Sequence, residues 1–295
     1  MSQQLIAGVA RSAMLVTLNV SLYSGRKKDS ATQAEVVAAK SSHSPRAASV
    51  YKNLFSDCKE LDAITKFQAR ARARHYHLTL PWQDGGSRLL PTAAFMTYTQ
   101  EMGDFRTEFD RLVTVFLDKY DTLVAAAAFQ LGQLFDRSEY LTRDQVARRF
   151  NFDLTYAPMP TAGDFRLDIE AEVQQQLVQN YEARLVDQLA QAQKDAWSRM
   201  HDALSRLKDR LTLEEDGTRK TFRSTTITNA QELCELLTQL NVTNDPELER
   251  ARRQLEEAMD GVDPVELRNE EGARLITLQK VSAVLDGFDW GVEEV

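Results

Sequence analysis

Two long runs of regularly spaced apolar residues constrain the fold of this chain more than any other feature. In residues 92–135 the apolar positions recur in steps of three and four that average near 3.5, the spacing of a coiled-coil seam. In residues 170–213 most steps are four, which predicts a weak supercoil or one of opposite hand. Each run predicts a helix about 65 Å long. We expect the two helices to pack as a long antiparallel stalk.

The remaining segments predict a base and a tip for this stalk. Residues 136–169 combine a capping-box spacing with the alternating strand pattern "FNFDLTY", which predicts a small α+β tip insertion. Residues 1–91 predict a strand and helices that carry a basic patch. Residues 214–295 predict the strand "TFRSTTIT", paired with residues 16–23, and three helices. The predicted fold class is mainly α (α+β), with a minor sheet in a helical base.

Several helix boundaries of the base follow from capping residues. The strand pattern of residues 16–22 ends before a turn, and either Asp29 or Ser30 is placed to cap the next helix. A further helix is expected over about residues 47–77. Near the other end of the chain, Asp245 and Asp263 each precede a proline, the order that favours a cap followed by the first helical position.

Charge is distributed unevenly along the chain. Residues 1–90 hold 13 Lys and Arg against 6 Asp and Glu, whereas residues 230–295 hold 6 against 16. The basic part predicts contact with nucleic acid, with an acidic protein, or with the acidic part of this or another copy. An internal match between the two ends is the simplest alternative.

The stretch "SGRKKDS" is the first basic cluster, with Arg26, Lys27 and Lys28 between a strand and a helix. A P-loop requires the pattern G-x-x-x-x-G-K-[ST], because several backbone N–H groups must surround the phosphates. Here there is one glycine, and no Ser or Thr follows the lysines directly. The cluster is therefore either an exposed turn or a contact for nucleic acid or an acidic partner.

The stretch "FQARARARHYH" is the second basic cluster. Its candidate binding residues are Arg70, Arg72 and Arg74, interleaved with aromatic residues. Such a pattern favours a surface that holds a phosphate backbone and stacks a base. The alternative is a solvated helix end whose side-chain stems pack on their neighbours.

The stretch "LTLPWQDGGSRLLP" predicts a loop of specific shape, because it combines two prolines with two glycines. Loops on a rigid scaffold often bind partners, so Trp82, Asp84 and Arg88 are candidate partner-binding residues. The alternative is a loop that locks the preceding helix to the stalk.

Motifs of enzymes and metal sites do not occur in the sequence. There is no Glu-x-x-His pair for a di-metal site and no G-x-S-x-G, H-E-x-x-H or C-x-x-C. We therefore predict no catalytic residue, no cofactor and no metal. Cys58 and Cys234 are predicted to be buried thiols. With no signal peptide and no membrane-spanning run, a cytoplasmic protein is expected.

Several phrases, spread over nearly the whole chain, resemble a family of phage and bacterial proteins that forms a domain of unknown function. The resemblance implies a phage or prophage origin. It also implies a genomic neighbourhood with an AAA+ ATPase of the MoxR or cobaltochelatase-subunit type and a von Willebrand A-type protein. No catalytic residue is implied. The phrases are "SLYSGRKKD", "YKNLFSDCKELDAI", "YHLTLPWQDGGSRLLP", "GDFRLDI" and "NAQELCELLTQLNVTNDPELE".

These patterns together predict a non-enzymatic interaction protein. We expect an adaptor or scaffold that partners an AAA+ ATPase or assembles as a homo-oligomer. The first alternative is a phage nucleic-acid-binding protein in replication, recombination or host takeover. The second is an inhibitor of host defence that uses its acidic C-terminal region as a nucleic-acid mimic.

Overall fold

The chain is mainly helical with a small antiparallel sheet, which confirms the predicted fold class at that level. A computed structural model describes residues 2–40, 44, 46–83, 86–160, 171–214, 216 and 218–291. The chain divides into two compact units, each described by itself below. Unit 1 comprises Met1–Thr17, Tyr76–Tyr98 and Thr155–Val295. Unit 2 comprises Leu18–His75 and Thr99–Leu154.

The elements of the described residues are numbered in chain order. The α-helices are α1 (Ser2–Ser12), α2 (Ser30–Ala39), α3 (Lys59–Leu78), α4 (Phe95–Asp118), α5 (Tyr120–Leu131), α6 (Arg143–Ala147), α7 (Ala171–Leu211), α8 (Ser224–Leu240), α9 (Pro246–Met259), α10 (Pro264–Asn269) and α11 (Glu271–Asp286). The strands are β1 (Ala13–Ser21), β2 (Arg26–Lys28), β3 (Tyr51–Asn53), β4 (Leu80–Pro81), β5 (Arg88–Pro91) and β6 (Asn151–Pro158). Short 3₁₀ turns cover Thr92–Ala94, Gly132–Leu134 and Arg137–Glu139.

The core of unit 1 is built around α7, which confirms the second predicted long helix. This helix packs against α1, α8, α9, α11 and β4, all in its own unit. The burial of one apolar face is the main source of stability for a long helix. The antiparallel stalk with the first long helix is not confirmed and stays a prediction. The buried stripe consists of Leu185, Leu189, Ala192, Ala196, Met200, Leu204, Leu207 and Leu211.

The first predicted long helix is interrupted, so a continuous helix over residues 92–135 is wrong. α4 ends at Asp118, Lys119 follows, and α5 begins at Tyr120. The guanidinium of Arg143 donates to the carbonyl oxygen of Leu117 at 3.0 Å and to the carboxylate of Asp118 at 2.8 Å. A basic side chain on the last carbonyls is a common way to end a helix.

Unit 2 has an aromatic core. The rings of Phe67, Phe109 and Phe152 lie 5.7 to 6.3 Å apart, centroid to centroid. At the other end of the core, the buried hydroxyl of Tyr140 donates to the carbonyl oxygen of Leu54 at 2.7 Å. These ring pairs join α3, α4 and β6. Buried aromatic rings favour tilted and edge-to-face contacts at such distances.

The main sheet has the strand order β4-β5-β1-β6. β1 and β5 are antiparallel, with Ala13 opposite Pro91 and Val16 opposite Arg88. Both the β1 strand and the "FNFDLTY" strand, now β6, were predicted from alternation and are confirmed. The expected return strand "FRLDI" lies at 165–169, outside the described residues. β5 comes from a stretch that was predicted as loop.

The strand predicted for "TFRSTTIT" is wrong, because α8 begins at Ser224 within this stretch. Threonine and isoleucine favour strands, but Ile227, Ala230 and Leu233 are buried at helical spacing. Packing of that face outweighs the intrinsic strand preference of the residues.

The helix predicted over residues 47–77 begins later than expected. β3 occupies Tyr51–Asn53, Asp57 has a positive φ of 59°, and α3 starts only at Lys59. The last predicted helix is also divided, into α10 and α11, with Glu270 between them. The predicted caps at Asp29, Asp245 and Asp263 and the capping box of Thr142 with Gln145 are all confirmed.

Candidate functional site

The segment from Arg26 to Asn53, here called the arm, lies on the surface of unit 2. None of its described residues is buried. It consists of β2, α2 and β3. The two strands pair antiparallel, and the arm is closed at its base by the N–H of Leu54, which donates to the carbonyl oxygen of Gly25 at 2.7 Å. The sequence carries six Lys and Arg against two acidic residues over this segment. The arm is therefore a basic excursion from the chain.

One face of the β2–β3 ribbon combines cations with an aromatic ring. Arg26 lies opposite Asn53 and Lys28 opposite Tyr51, and side chains that face each other across a ladder share a face. The guanidinium carbon of Arg26 lies 6.0 Å from the ring centroid of Tyr51, and its Nε donates to Asn53 Oδ1 at 3.3 Å. Tyr51 is 57% exposed. The three basic residues of "SGRKKDS" thus lie on a strand rather than in a turn.

The opposite face of the ribbon is anchored. Lys27 faces Lys52 across the ladder, and Lys52 Nζ binds the carboxylate of Glu139 at 2.6 Å and the carbonyl oxygen of Leu134 at 2.7 Å. The pKa of the nearby Asp136 is lowered, mainly by hydrogen bonds from Ser138, with smaller contributions from Lys52 and Lys27. This anchor leaves the Arg26–Lys28 face as the open side.

Helix α2, within the arm, buries none of its residues. Asp29 caps it by accepting from the N–H of Thr32 at 3.0 Å, and this backbone hydrogen bond is the main cause of the lowered pKa of Asp29. Beyond the cap its sequence is rich in alanine and valine, with Val36 39% exposed and Glu35 the single charged residue of the helix. An isolated helix of this length is marginal in water.

The second basic cluster, on α3, is largely neutralised within unit 2. Arg70 pairs with Glu108, and its guanidinium carbon lies 5.5 Å from the ring of Phe67. Arg74 binds both carboxylate oxygens of Glu101, at 2.5 and 2.6 Å. Both acidic partners project from α4. The arrangement favours the alternative in which this cluster is a helix end whose side chains pack on their neighbours, not a nucleic-acid surface.

Arg72, the third residue of that cluster, is exposed. Its guanidinium makes a long hydrogen bond, 3.4 Å, to the carbonyl oxygen of Val20. Among the described residues, no carboxylate pairs with Arg72. A role of Arg72 in binding a partner stays a prediction.

The loop that carries Trp82 and Arg88 is held within unit 1. Trp82 is 4% exposed, so its ring is part of the core. Arg88 donates to Thr79 Oγ1 at 2.7 Å, and its guanidinium carbon lies 4.7 Å from the ring centroid of Tyr76. Burial and then the nearby Arg199 lower the pKa of Arg88. Asp84 lies outside the described residues.

Arg199 of α7 explains why this loop is fixed, and sequence reasoning missed it. Its guanidinium donates to the carbonyl oxygens of Tyr76, His77 and Thr79 at 2.7 to 3.0 Å and pairs with Asp195. An arginine on a long helix gives no local signal for such contacts. The arrangement favours the alternative in which the loop locks the preceding helix in place.

Metal ligands are not grouped in the part of the chain that the structure describes. No cluster of three or more His, Cys, Asp or Glu side chains suited to a metal ion occurs there. Cys58 and Cys234 are buried thiols, as predicted. Burial raises the pKa of the Cys234 thiol to about 11. None of the described helices is long and apolar enough to cross a membrane.

Comparison with known proteins gives a family. The family model described as "Protein of unknown function (DUF3150)" matches residues 11–286. The chain belongs to the DUF3150 family. This confirms the resemblance to a domain of unknown function. No curated protein and no solved structure matches the chain significantly. The DUF3150 match includes the whole arm, which is therefore part of the family domain.

Proposed function

We propose that this DUF3150 chain is a non-enzymatic interaction protein and that the arm is its contact element. The observation that carries the proposal is the complete lack of buried residues in the described part of Arg26–Asn53. A ten-residue helix with no buried residue gains little burial energy to offset the entropy of ordering it. A partner surface over α2 supplies that burial.

The chemistry of the arm indicates an acidic protein as the partner. α2 offers small apolar side chains, which suit a helix-binding groove. Four cations of the arm flank that helix in the sequence: Arg26, Lys28, Lys40 and Arg46. An acidic rim on the partner would therefore steer and orient the encounter. The AAA+ ATPase implied by the resemblance is the first partner to test, and self-assembly into a homo-oligomer is the second.

Light scattering of the full chain with and without that ATPase, at low and high salt, tests the proposal. We expect a complex that weakens as salt rises, because exposed charges are screened. The variant Arg26→Glu/Lys28→Glu should abolish it. The matched control Arg11→Glu/Lys66→Glu changes two exposed cations outside the arm and should keep it. A complex that survives the arm variant would refute the assignment, as would a chain that stays monomeric with every partner tested.

A nucleic-acid-binding function is the second candidate, because Arg26 and Tyr51 share one exposed face of the ribbon. Cations that hold phosphates beside a ring that stacks bases are typical of single-strand binding. Fluorescence anisotropy with a single-stranded oligonucleotide should then show affinity that falls steeply with salt. Tyr51→Ala should weaken binding about fivefold or more, whereas Tyr51→Phe should retain it. Equal binding by both variants would exclude this face.

The remaining expectations about function and origin are also proposals. They are the phage or prophage origin and a cytoplasmic location. The inhibition of host defence by an acidic mimic is a third hypothesis. In the described C-terminal helices, Glu247, Glu249 and Glu256 pair with arginines of the same helix. This local pairing reduces the free acidic charge that a mimic needs.

A further inference from the structure

Unit 1 contains a cavity that the sequence patterns did not indicate. It has a volume of about 500 Å³, within the usual range of small-molecule sites. Its described lining residues are Arg210, Thr221, Arg223 and Thr226. These four side chains supply two guanidinium groups and two hydroxyl groups. Among the described lining residues there is no carboxylate, so the described part of the lining is rich in donors and positively charged.

Most of these donors have no partner among the residues that the structure describes. Among the described residues, the side chains of Thr221, Arg223 and Thr226 form no hydrogen bond or ion pair. Arg210 has one weak ion pair, with Nε 3.8 Å from a carboxylate oxygen of Asp209. That carboxylate binds Lys220 more closely, at 2.6 Å. The two guanidinium groups thus keep most of their bonding capacity for a ligand.

Hydrogen bonds from two arginines to backbone carbonyl oxygens hold one wall of the cavity in place. Arg268 Nε donates to the carbonyl oxygen of Phe222 at 3.1 Å. The buried Arg274 donates to the carbonyl oxygens of Leu211 at 2.9 Å and of Lys220 at 3.3 Å. These bonds hold the irregular segment that carries Thr221 and Arg223 against the end of α7. A fixed backbone at this wall reduces the entropy that a ligand must remove when it binds.

The first turn of α8 adds to the positive character of the cavity. α8 is 17 residues long, and its N-cap, Arg223, makes no capping hydrogen bond with its side chain. The first N–H groups of a helix favour anions. In α8 the N–H of Thr226 already donates to the carbonyl oxygen of Arg223 at 3.0 Å, so this contribution falls to the N–H groups before it. Thr226 lies in this first turn and Arg223 immediately precedes it. Helix terminus, hydroxyl groups and guanidinium groups therefore meet at one place.

We propose that this cavity binds a phosphate group, carried by a nucleotide or present as a free ion. Guanidinium groups bind phosphate oxygens with paired, charge-assisted hydrogen bonds, which suits Arg210 and Arg223. Thr221 and Thr226 donate to the remaining oxygens. The volume exceeds what a lone phosphate needs and has room for a larger phosphorylated molecule. This site is independent of the arm, so either proposal can fail without the other.

Isothermal titration calorimetry of the full chain with inorganic phosphate, ADP and ATP tests this site, with adenosine as the uncharged comparison. We expect binding by at least one phosphate-bearing ligand and none by adenosine. Arg223→Gln should weaken that binding about tenfold or more, because one charge-assisted contact is lost. Thr226→Val should weaken it a few-fold, whereas Thr226→Ser should retain it.

The matched control is Arg206→Gln, an exposed arginine one turn earlier on α7 that does not line the cavity. It removes the same charge and should leave binding unchanged. If inorganic phosphate binds as tightly as ADP, the site is assigned to the free ion. If ADP binds more tightly than inorganic phosphate, the site is assigned to a nucleotide. Either result supports the proposal. An absence of binding by all phosphate ligands overturns it, as does equal weakening by Arg206→Gln and Arg223→Gln in thermally intact protein.

Discussion

The guanidinium of Arg74 binds both carboxylate oxygens of Glu101, with its Nε and one terminal nitrogen at 2.5 and 2.6 Å. This pair joins α3 to α4 inside unit 2. One turn away, Arg70 donates to one carboxylate oxygen of Glu108. A cluster that resembles a nucleic-acid surface in the sequence is therefore part of a helix–helix contact. The contrast with the open arm decides which basic cluster is offered to a partner.

Breaking the Arg74–Glu101 pair should destabilise unit 2 modestly. The two side chains are about one-third exposed, so we expect Arg74→Ala to lower the free energy of unfolding by about 1 kcal/mol. A double-mutant cycle with Glu101→Ala, measured by urea unfolding, should show favourable coupling that falls with added salt. Arg72→Ala is the control and should change stability by less than about 0.5 kcal/mol. Zero coupling would mean that the pair contributes nothing.

Gly25 should tolerate no larger residue at the base of the arm. Its φ is +61°, and an added Cβ would lie 3.1 Å from Leu61 and 3.2 Å from Phe55. Gly25→Ala should therefore cost about 1–3 kcal/mol, because strain and crowding add. The control Gly103→Ala lies in the interior of α4 with open space around it, and should stabilise by about 0.5–1 kcal/mol. Thermal unfolding measures both, and a neutral Gly25→Ala would contradict this role.

The acidic helix α9 should lose stability at low pH through Glu249. Hydrogen bonds from Arg252, and then from Arg253, lower the pKa of this carboxyl from its ordinary value of 4.5 to about 2. Since the folded-state pKa is depressed, the stabilisation is fully present above about pH 4.5 and is lost as the pH falls toward 2. The carboxylate is 30% exposed, so solvent screening limits the effect.

Chemical unfolding as a function of pH measures this contribution. Glu249→Gln should cost about 1 kcal/mol near neutral pH, and the difference from the wild type should vanish toward pH 2. Glu257→Gln removes another carboxylate from α9 and is the matched control, with a change below about 0.5 kcal/mol. A cost of Glu249→Gln that is the same at every pH would show that lost packing, not charge, is its origin.

Arg274 should be essential for the end of α7. It is 3% exposed and donates to carbonyl oxygens at that helix end, including those of Leu211 and Arg210. Arg274→Met leaves these acceptors without their donor and should cost about 2–3 kcal/mol. Arg274→Lys reaches fewer acceptors and should cost less. Lys280→Met, an exposed position of α11, serves as the control in the same thermal unfolding assay, and an equal loss there would remove the special role of Arg274.

Local patterns in the sequence were sufficient for several elements. The alternation of residues 16–22 predicts β1, and the apolar steps of residues 170–213 predict α7. The capping residues Asp29, Asp245 and Asp263 act where they were placed. These predictions succeed because the strand period, the helix period and helix capping involve only residues within a few positions of one another.

Other elements depend on distant partners and were missed for that reason. The break at Lys119 coincides with a guanidinium contributed by Arg143 of α6, and β3 exists because it pairs with β2. α8 replaces a predicted strand because Ile227 and its neighbours are buried on one helical face. None of these partners lies within the window that a local pattern covers.

The sequence by itself determined the mainly helical class, the long α7, the first strand and the positions of four helix caps, because these follow from short-range periodicity and backbone hydrogen bonding. Only the tertiary structure decided which charges are free. It pairs Arg70 and Arg74 with α4, buries Trp82, and leaves Arg26 and Lys28 open on the arm. It also gathers Arg210 and Arg223 around one cavity. The physical reason is that charge compensation and burial depend on distances through space, which the order of residues alone does not fix.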